Sequence, residues 1–148
     1  MFDFVKKGAV NKAVVHGKWG EETAARYLEE RGYLILERNV RPCKKDRRLE
    51  IDIVAYMDKG GIVVFVEVKQ HASRSEYQCR LRSIDNRKRR LMRRASRAWL
   101  LQKKWMGSYR YDVIEVYGVP DDKHSPEIDH IERIDIFTNS KKYVNWNE

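Results

Sequence analysis

The sequence predicts a mixed α/β domain in which a central antiparallel hairpin is covered by helices. Three observations predict it. Two runs rich in β-branched residues, Leu49 to Tyr56 and Ile62 to Gln70, are separated only by the turn-forming "MDKGG", the pattern of a hairpin. Upstream, "GKWGEETAARYLEERGY" places Gly20, Thr23, Ala24, Tyr27 and Leu28 at helical spacing, and a second helical pattern runs down to Lys103. The 148 residues contain no repeat and no linker, so they suit one domain with one core.

Each element has its own justification. Residues 1–15 carry no strong pattern and are expected to form a loosely packed lead-in. The first helix is expected over Trp19 to Arg31, with Gly32 as its C-terminal stop. "YLILERN" reads as a short strand, and "RPCKKDRR" as a basic loop opened by Pro42. The hairpin follows. "HASRSEYQCRLRS" is a polar loop, after which Ser83 or Asp85 caps a long helix. "YRYDVIEVYG" is a further strand, "VPDDKHSP" a turn region and "IDHIERIDIF" a last strand-like segment before the polar tail "NSKKYVNWNE".

Composition narrows the function classes. Four Trp and eight Tyr argue against disorder. Lys and Arg number 31 against 22 Asp and Glu, a net charge of +9, which favours a polyanionic partner such as nucleic acid over an acidic protein or a membrane. Cys43 and Cys79 are too few for a disulfide scaffold and are not spaced as a zinc site. "MFDFVKKGAV" has no long apolar run of the secretory kind, and "IVVFV" is too short to cross a bilayer. The expectation is a cytoplasmic protein with no membrane association.

The hairpin carries four charges inside its strands: Glu50, Asp52, Glu67 and Lys69. Side chains alternate across a strand. Leu49, Ile51, Ile53 and Ala55 are therefore expected on one face with Ile62, Val64, Val66 and Val68, and all four charges on the other with Val54, Tyr56, Val63 and Phe65. A turn centred between Lys59 and Gly60 sets Asp52 opposite Glu67, and Glu50 opposite Lys69. A one-residue slip would bury the charges among aliphatics, whereas a two-residue slip would keep the faces and stays open. Two carboxylates meeting in a partly apolar pocket point to a hard divalent cation such as Mg2+. The competing reading is a pair of solvent-facing strands with ordinary cross-strand ion pairs. Val54, Val63 and Phe65 on the same face count against it.

At these residues the sequence resembles the PD-(D/E)xK nuclease superfamily, whose Asp…Glu-x-Lys signature is matched by Asp52, Glu67 and Lys69. It is closer to one branch, the YraN-like proteins, which are endonuclease-like and distantly similar to archaeal Holliday junction resolvases. That branch has a "GxxGExxAxxYL" helix, matched by "GKWGEETAARYL" from Gly17 to Leu28, and a "GYxILxRN" strand, matched by Gly32 to Asn39. "EID", "FVEVK", the lysine-bearing "DNRKRRL" and "RYDV" follow in the family's order, so the resemblance covers roughly Gly17 to Gly118.

The resemblance implies a restriction-endonuclease-like three-layer fold with a central mixed sheet flanked by helices. It also implies that Asp52 and Glu67, with Glu50 and the carbonyl of Val68, bind Mg2+, for which Mn2+ can substitute. Lys69 would serve the hydrolytic water and Glu21 would approach the metal from the first helix. Glu21 equally reads as a helix N-terminal glutamate favoured by the macrodipole. Resolvase-like enzymes act as dimers, so a homodimer is implied too. The sequence departs from the family at Leu49, where a Gly is usual, and at Gln70 and His71, where Thr-Arg is common.

The second helix carries seven Lys or Arg between Arg87 and Arg97. A helical wheel puts Leu91, Met92, Ala95, Ala98 and Trp99 on one arc and Arg87, Arg89, Arg90, Arg93, Arg94 and Arg97 on the other. That face reads either as a solvated surface or as a phosphate-neutralising one. Lys88 falls within the apolar arc, where it snorkels outward or reaches the carboxylates. Arg87, Lys88, Arg90, Arg94 and Gln70 are the expected nucleic-acid contacts. Trp105, Tyr109 and Tyr111 read as core and edge residues or as stacking platforms for bases. The four histidines show no ligand spacing, and Arg110 and Asp112 read as a structural pair. The expected function is Mg2+-dependent hydrolysis of DNA phosphodiesters, in branched or single-stranded DNA. The alternative is a nuclease-fold binding module, weak or silent in catalysis, that works with a DNA-processing partner.

Overall fold

The computed structural model describes residues 2–74 and 84–137. Most of the expected polar loop, with Cys79 and Ser83, and the C-terminal tail lie outside the described residues. Five strands form one mixed sheet in chain order: β1 (Tyr33–Val40), β2 (Ile51–Met57), β3 (Ile62–His71), β4 (Ser108–Tyr117) and β5 (Glu127–Ile131). Neighbours are antiparallel except β3 and β4, which are parallel and so need a crossover. Helix α2 (Asn86–Lys103) supplies it, capped by Asp85, whose carboxylate accepts the Lys88 N–H at 2.8 Å.

The sheet separates two cores. On one face, Ala24, Ala25 and Leu28 of helix α1 (Phe2–Glu30) pack on Ile53, Ala55, Val64, Val66, Ile114 and Val116. On the other, Met92, Ala95 and Trp99 of α2 cover Val54, Val63, Phe65, Tyr111 and Val113. The result is the expected helix–sheet–helix arrangement of a restriction-endonuclease-like domain. The hairpin register is the expected one, with Val54 opposite Phe65 and Tyr56 opposite Val63. Gly60 and Gly61 turn the chain at φ +107° and +64°, values that glycine adopts without strain. Asp58 accepts the Gly61 N–H at 3.1 Å across the turn.

Four expectations are corrected. Helix α1 begins at Phe2, not Trp19. Residues 11–18 are almost all exposed, so this part buries no stripe and leaves no periodic signal, yet contains no proline to stop the helix. Leu49 and Ile51 join the α2-side core, not the face of Ile53 and Ala55. The β2–β3 ladder extends from the turn only as far as Ile53 and Val66. Beyond it the Asp52 carboxylate, rather than a backbone carbonyl, accepts the Val68 N–H, so strict alternation lapses there. Strand β5 stops at Ile131. Arg133 adopts φ 57° and the Ile134 N–H donates to the Tyr111 carbonyl, which delivers Ile134 and Ile136 to the α2-side core.

The fourth is Arg89, which is buried rather than on the outer arginine face. It stands three residues before Met92, and together with Ser96 and Trp99 continues the buried stripe of α2. Among the described residues no helix is long and apolar enough to cross a membrane. Cys43 is a half-buried free thiol packed against the α2-side core.

Candidate functional site

The end of the hairpin away from its turn brings the signature residues together. Asp52 Oδ2 accepts the Val68 N–H at 2.8 Å, which fixes the aspartate beside the Glu67–Lys69 segment. Burial pushes the Asp52 carboxyl up to about 8, and the neighbouring Glu67 and Glu21 carboxylates add to the rise, while the Val68 N–H and Lys88 oppose it. Asp52 is thus short of positive charge in its own surroundings.

Glu67 is buried and sits at the centre of the cluster. Its Oε1 meets Lys88 Nζ at 3.0 Å and Lys69 Nζ at 3.5 Å. Lys88 therefore reaches the carboxylates from α2, as one of its two readings requires. Burial alone would lower the Lys88 ammonium, but the Glu67 carboxylate outweighs it and the net shift is upward.

Glu21 enters from α1. Burial raises its carboxyl, a hydrogen bond from Asn39 pulls it down, and the Glu50 and Glu67 charges raise it again, leaving it above the usual carboxylate range. Glu21 is therefore within electrostatic reach of the cluster. Asn39 was not singled out from the sequence. Its signal is the end of "LERN", where an asparagine at φ 50° closes the strand; asparagine is among the few non-glycine residues that tolerate that conformation.

Glu50 does not pair with Lys69. It stands at the rim, 3.4 Å from Arg41, while Lys69 turns to Glu67. Gln70 faces α1: its Nε2 donates to the Gly118 carbonyl at 2.6 Å, and a Cβ on Gly20 would lie 2.9 Å from its own Cβ. Gln70 thus locks α1 to the sheet beside Glu21.

On α2, Arg87, Arg90, Arg94 and Arg97 form an exposed row at spacings of three and four residues, one stripe of the helix. Arg94 shares Asp46 with Arg48, at 3.4 and 2.8 Å. Arg93 donates to the Ile136 carbonyl at 2.6 Å. Tyr111 is core, Trp105 stands edge-on against Tyr56, and Tyr109 is 44% exposed.

The histidines and the Arg110–Asp112 pair belong elsewhere. Asp112 accepts from Arg110, from His130 at 2.7 Å and from the Arg133 N–H. His71 lies 3.8 Å from the buried Glu115 and stacks on Tyr117.

The chain belongs to the protein family described as "Uncharacterised protein family UPF0102", whose model matches residues 20–116. That span holds Glu21, the hairpin and α2, the parts that build the cluster. Within the family, a UPF0102 protein of Trichlorobacter lovleyi is 39% identical over 84% of this chain and 91% of its own length. A UPF0102 protein of Halorhodospira halophila is 41% identical over 69% of this chain and 77% of its own. One of Thermotoga petrophila is 38% identical over 79% and 94%.

The donor chemistry of Asp52 and Glu67, carboxylate oxygens, suits a hard cation. Among the described residues no group of three or more His, Cys, Asp and Glu side chains is gathered to hold one. The arrangement joins two carboxylates to two lysines.

Proposed function

We propose that the protein is a Mg2+-dependent endonuclease that hydrolyses DNA phosphodiester bonds. The observation that carries this reading is the meeting of Asp52 and Glu67 across β2 and β3, with Lys69 and Lys88 both on Glu67. Asp52, Glu67 and the Val68 carbonyl would hold the ion, with Glu50 and Glu21 at its margin. A bound Mg2+ polarises a phosphoryl oxygen and makes water a better nucleophile. Lys69, one-third exposed beside Glu67, faces the substrate side; it orients the attacking water and neutralises charge that develops on the phosphate. Lys88, 3.0 Å from Glu67 Oε1, holds that carboxylate in place. The exposed arginine row of α2 neutralises backbone phosphates without reading sequence.

The pairing of both lysines with Glu67 also favours a second reading, a nuclease-fold module that binds nucleic acid and cuts weakly or not at all. Supercoiled, branched and single-stranded DNA, offered with Mg2+ or Mn2+, separates the two. The first reading expects nicking of at least one substrate, with a loss of about a thousandfold in Asp52→Ala, the equivalent of several kcal/mol of metal-ion catalysis. Binding without cleavage across that panel overturns it. Salt-dependent binding that survives Asp52→Ala and falls when Arg90 and Arg94 are both changed to Glu then supports the second.

A further inference from the structure

Away from the carboxylates, the C-terminal half of α2 faces a groove of about 420 Å³ lined by Arg93, Arg94, Arg97, Leu100, Tyr109, Tyr111 and Phe137. Its floor is the surface end of an aromatic stack. Trp99 meets Phe65 edge-on at 5.5 Å, Phe65 lies nearly parallel to Tyr111 at 5.5 Å, and Tyr111 meets Tyr109 and Phe137 edge-on at 6.0 and 6.1 Å. Tyr111 is held further by a 2.6 Å hydrogen bond to Ser96. The stack begins in the core and ends in two exposed rings, Tyr109 at 44% and Phe137 at 65%. Exposed aromatics on a rigid base, beside three guanidinium groups, are unusual on a surface that has no ligand to meet.

We propose that this groove binds an unpaired stretch of a nucleic-acid strand, its bases stacking on Tyr109 and Phe137 and its phosphates on Arg94 and Arg97. Aromatic platforms beside a basic track are how single strands are held without sequence preference, and guanidinium planes add cation–π contact with bases. The charge of the groove selects the ligand class. Arg94 is partly occupied by Asp46, but among the described residues no acidic side chain lines the groove itself, so a polyanion with flat apolar faces fits it.

The groove is offset from the cluster along α2 and around it, since nine positions are about two and a half turns of helix. Lys88 and Arg97 are nine positions apart on one helix, about 13 Å at 1.5 Å per residue. Tyr109 and Val113, the β4 residues beside Val63 and Glu67, are about 13 Å apart on their strand. The groove deepens the proposed nuclease reading, since it gives the enzyme a preference for DNA that carries an unpaired segment near the cut. That preference rests on the nuclease reading; the binding itself does not.

Fluorescence anisotropy with a short labelled oligothymidylate, in EDTA and low salt, tests the binding. Wild type is expected to bind it, with Phe137→Ala and Tyr109→Ala each weaker by roughly tenfold or more from lost stacking. Phe137→Tyr keeps a ring and restores affinity, which a merely electrostatic surface would not distinguish. Aromatic deletions that leave oligothymidylate affinity within about twofold, against the range expected for stacking, overturn the proposal. So does polyglutamate that displaces the oligonucleotide as well as unlabelled oligothymidylate does, because an acidic protein partner is then the better occupant. Asp52→Asn keeps the two readings apart. Lost nicking with intact oligothymidylate binding supports the groove and the cleavage site as separate functions. Absent nicking in wild type, with ring-dependent binding retained, removes the cleavage reading and leaves the groove standing.

Discussion

Asp52 on β2 and Asp112 on β4 lie in the same sheet, in surroundings of opposite kind. Asp112 is fully buried. It accepts from Arg110 Nε and NH2 at 3.1 Å each, from His130 Nε2 at 2.7 Å and from the Arg133 N–H at 3.0 Å. Arg110 reaches on to the Tyr33 hydroxyl at 2.8 Å, and His130 Nδ1 lies 3.3 Å from the Tyr27 hydroxyl. Every partner is a donor, and together they tie β4 to α1, β1 and the chain after β5. Asp52 has one backbone N–H, and the charges that raise its carboxyl are the carboxylates Glu67 and Glu21. A buried carboxylate saturated by donors holds a structure together. One crowded by its own kind keeps a proton or waits for a cation.

Removing each aspartate in turn tests that contrast, and the larger effect is expected at Asp112. Asp112→Ala leaves the buried Arg110 guanidinium without its main counter-charge and should cost about 3–5 kcal/mol, read from urea unfolding. Asp52→Asn removes a like-charge conflict and should leave stability at neutral pH unchanged or higher. A loss for Asp112→Ala no greater than that for Asp52→Asn would erase the distinction.

Titration tests the same contrast through pH. The Asp52 carboxyl rises from 3.8 in the unfolded chain to about 8 in the fold, so across that range the folded protein binds the extra proton. A group of this kind contributes stability that is fully present below its unfolded value and is lost as pH climbs through its folded value. Wild type should therefore lose stability between pH 3.8 and about 8 relative to Asp52→Asn. Thermal melts of the two proteins across that range should converge at its acid end. At the alkaline end Mn2+ should raise the melting temperature of wild type and not of Asp52→Asn, because binding to the folded state alone stabilises it. Parallel profiles, with or without Mn2+, would place Asp52 in the same class as Asp112.

The contrast was only half legible in the sequence. Alternation put Asp52 and Glu67 on one face and the turn set them opposite, but a two-residue slip was equally compatible with that face pattern, and only the observed register, with Ile53 opposite Val66, removes it. Lys88 was legible as an odd charge in an apolar arc, and its partner was one of two options. Arg89 was misplaced because the buried stripe of α2 is wider than the wheel of apolar residues alone marks out. Leu49 and Ile51 were misplaced because alternation assumes a continuous ladder, and the Asp52 side chain interrupts it. The Asp112 network was legible only as a pair: His130 joins it from eighteen residues away along the chain, on the neighbouring strand β5, and no periodic pattern encodes which side chains meet across two strands. Residues 11–18 of α1 left no trace because an exposed helix has no face to display.

The smallest expected effect lies where α1 meets β3, and it bears on how Glu21 is held. Gly20 lies inside a helix, where alanine is favoured by about 1 kcal/mol. Its Cβ, however, would stand 2.9 Å from that of Gln70, whose amide is tied to the Gly118 carbonyl. Overpacking of this kind costs about 1–3 kcal/mol. The two terms oppose one another, so Gly20→Ala should shift stability by about 2 kcal/mol at most. Relief of the clash requires α1 to move off the sheet, and Glu21, the next residue, moves with it. Nicking should therefore fall more than stability does. A variant that gains the full helical propensity and nicks as wild type would show that α1 is free to shift without disturbing the carboxylates, and that Glu21, unlike Asp52, takes no part in the site.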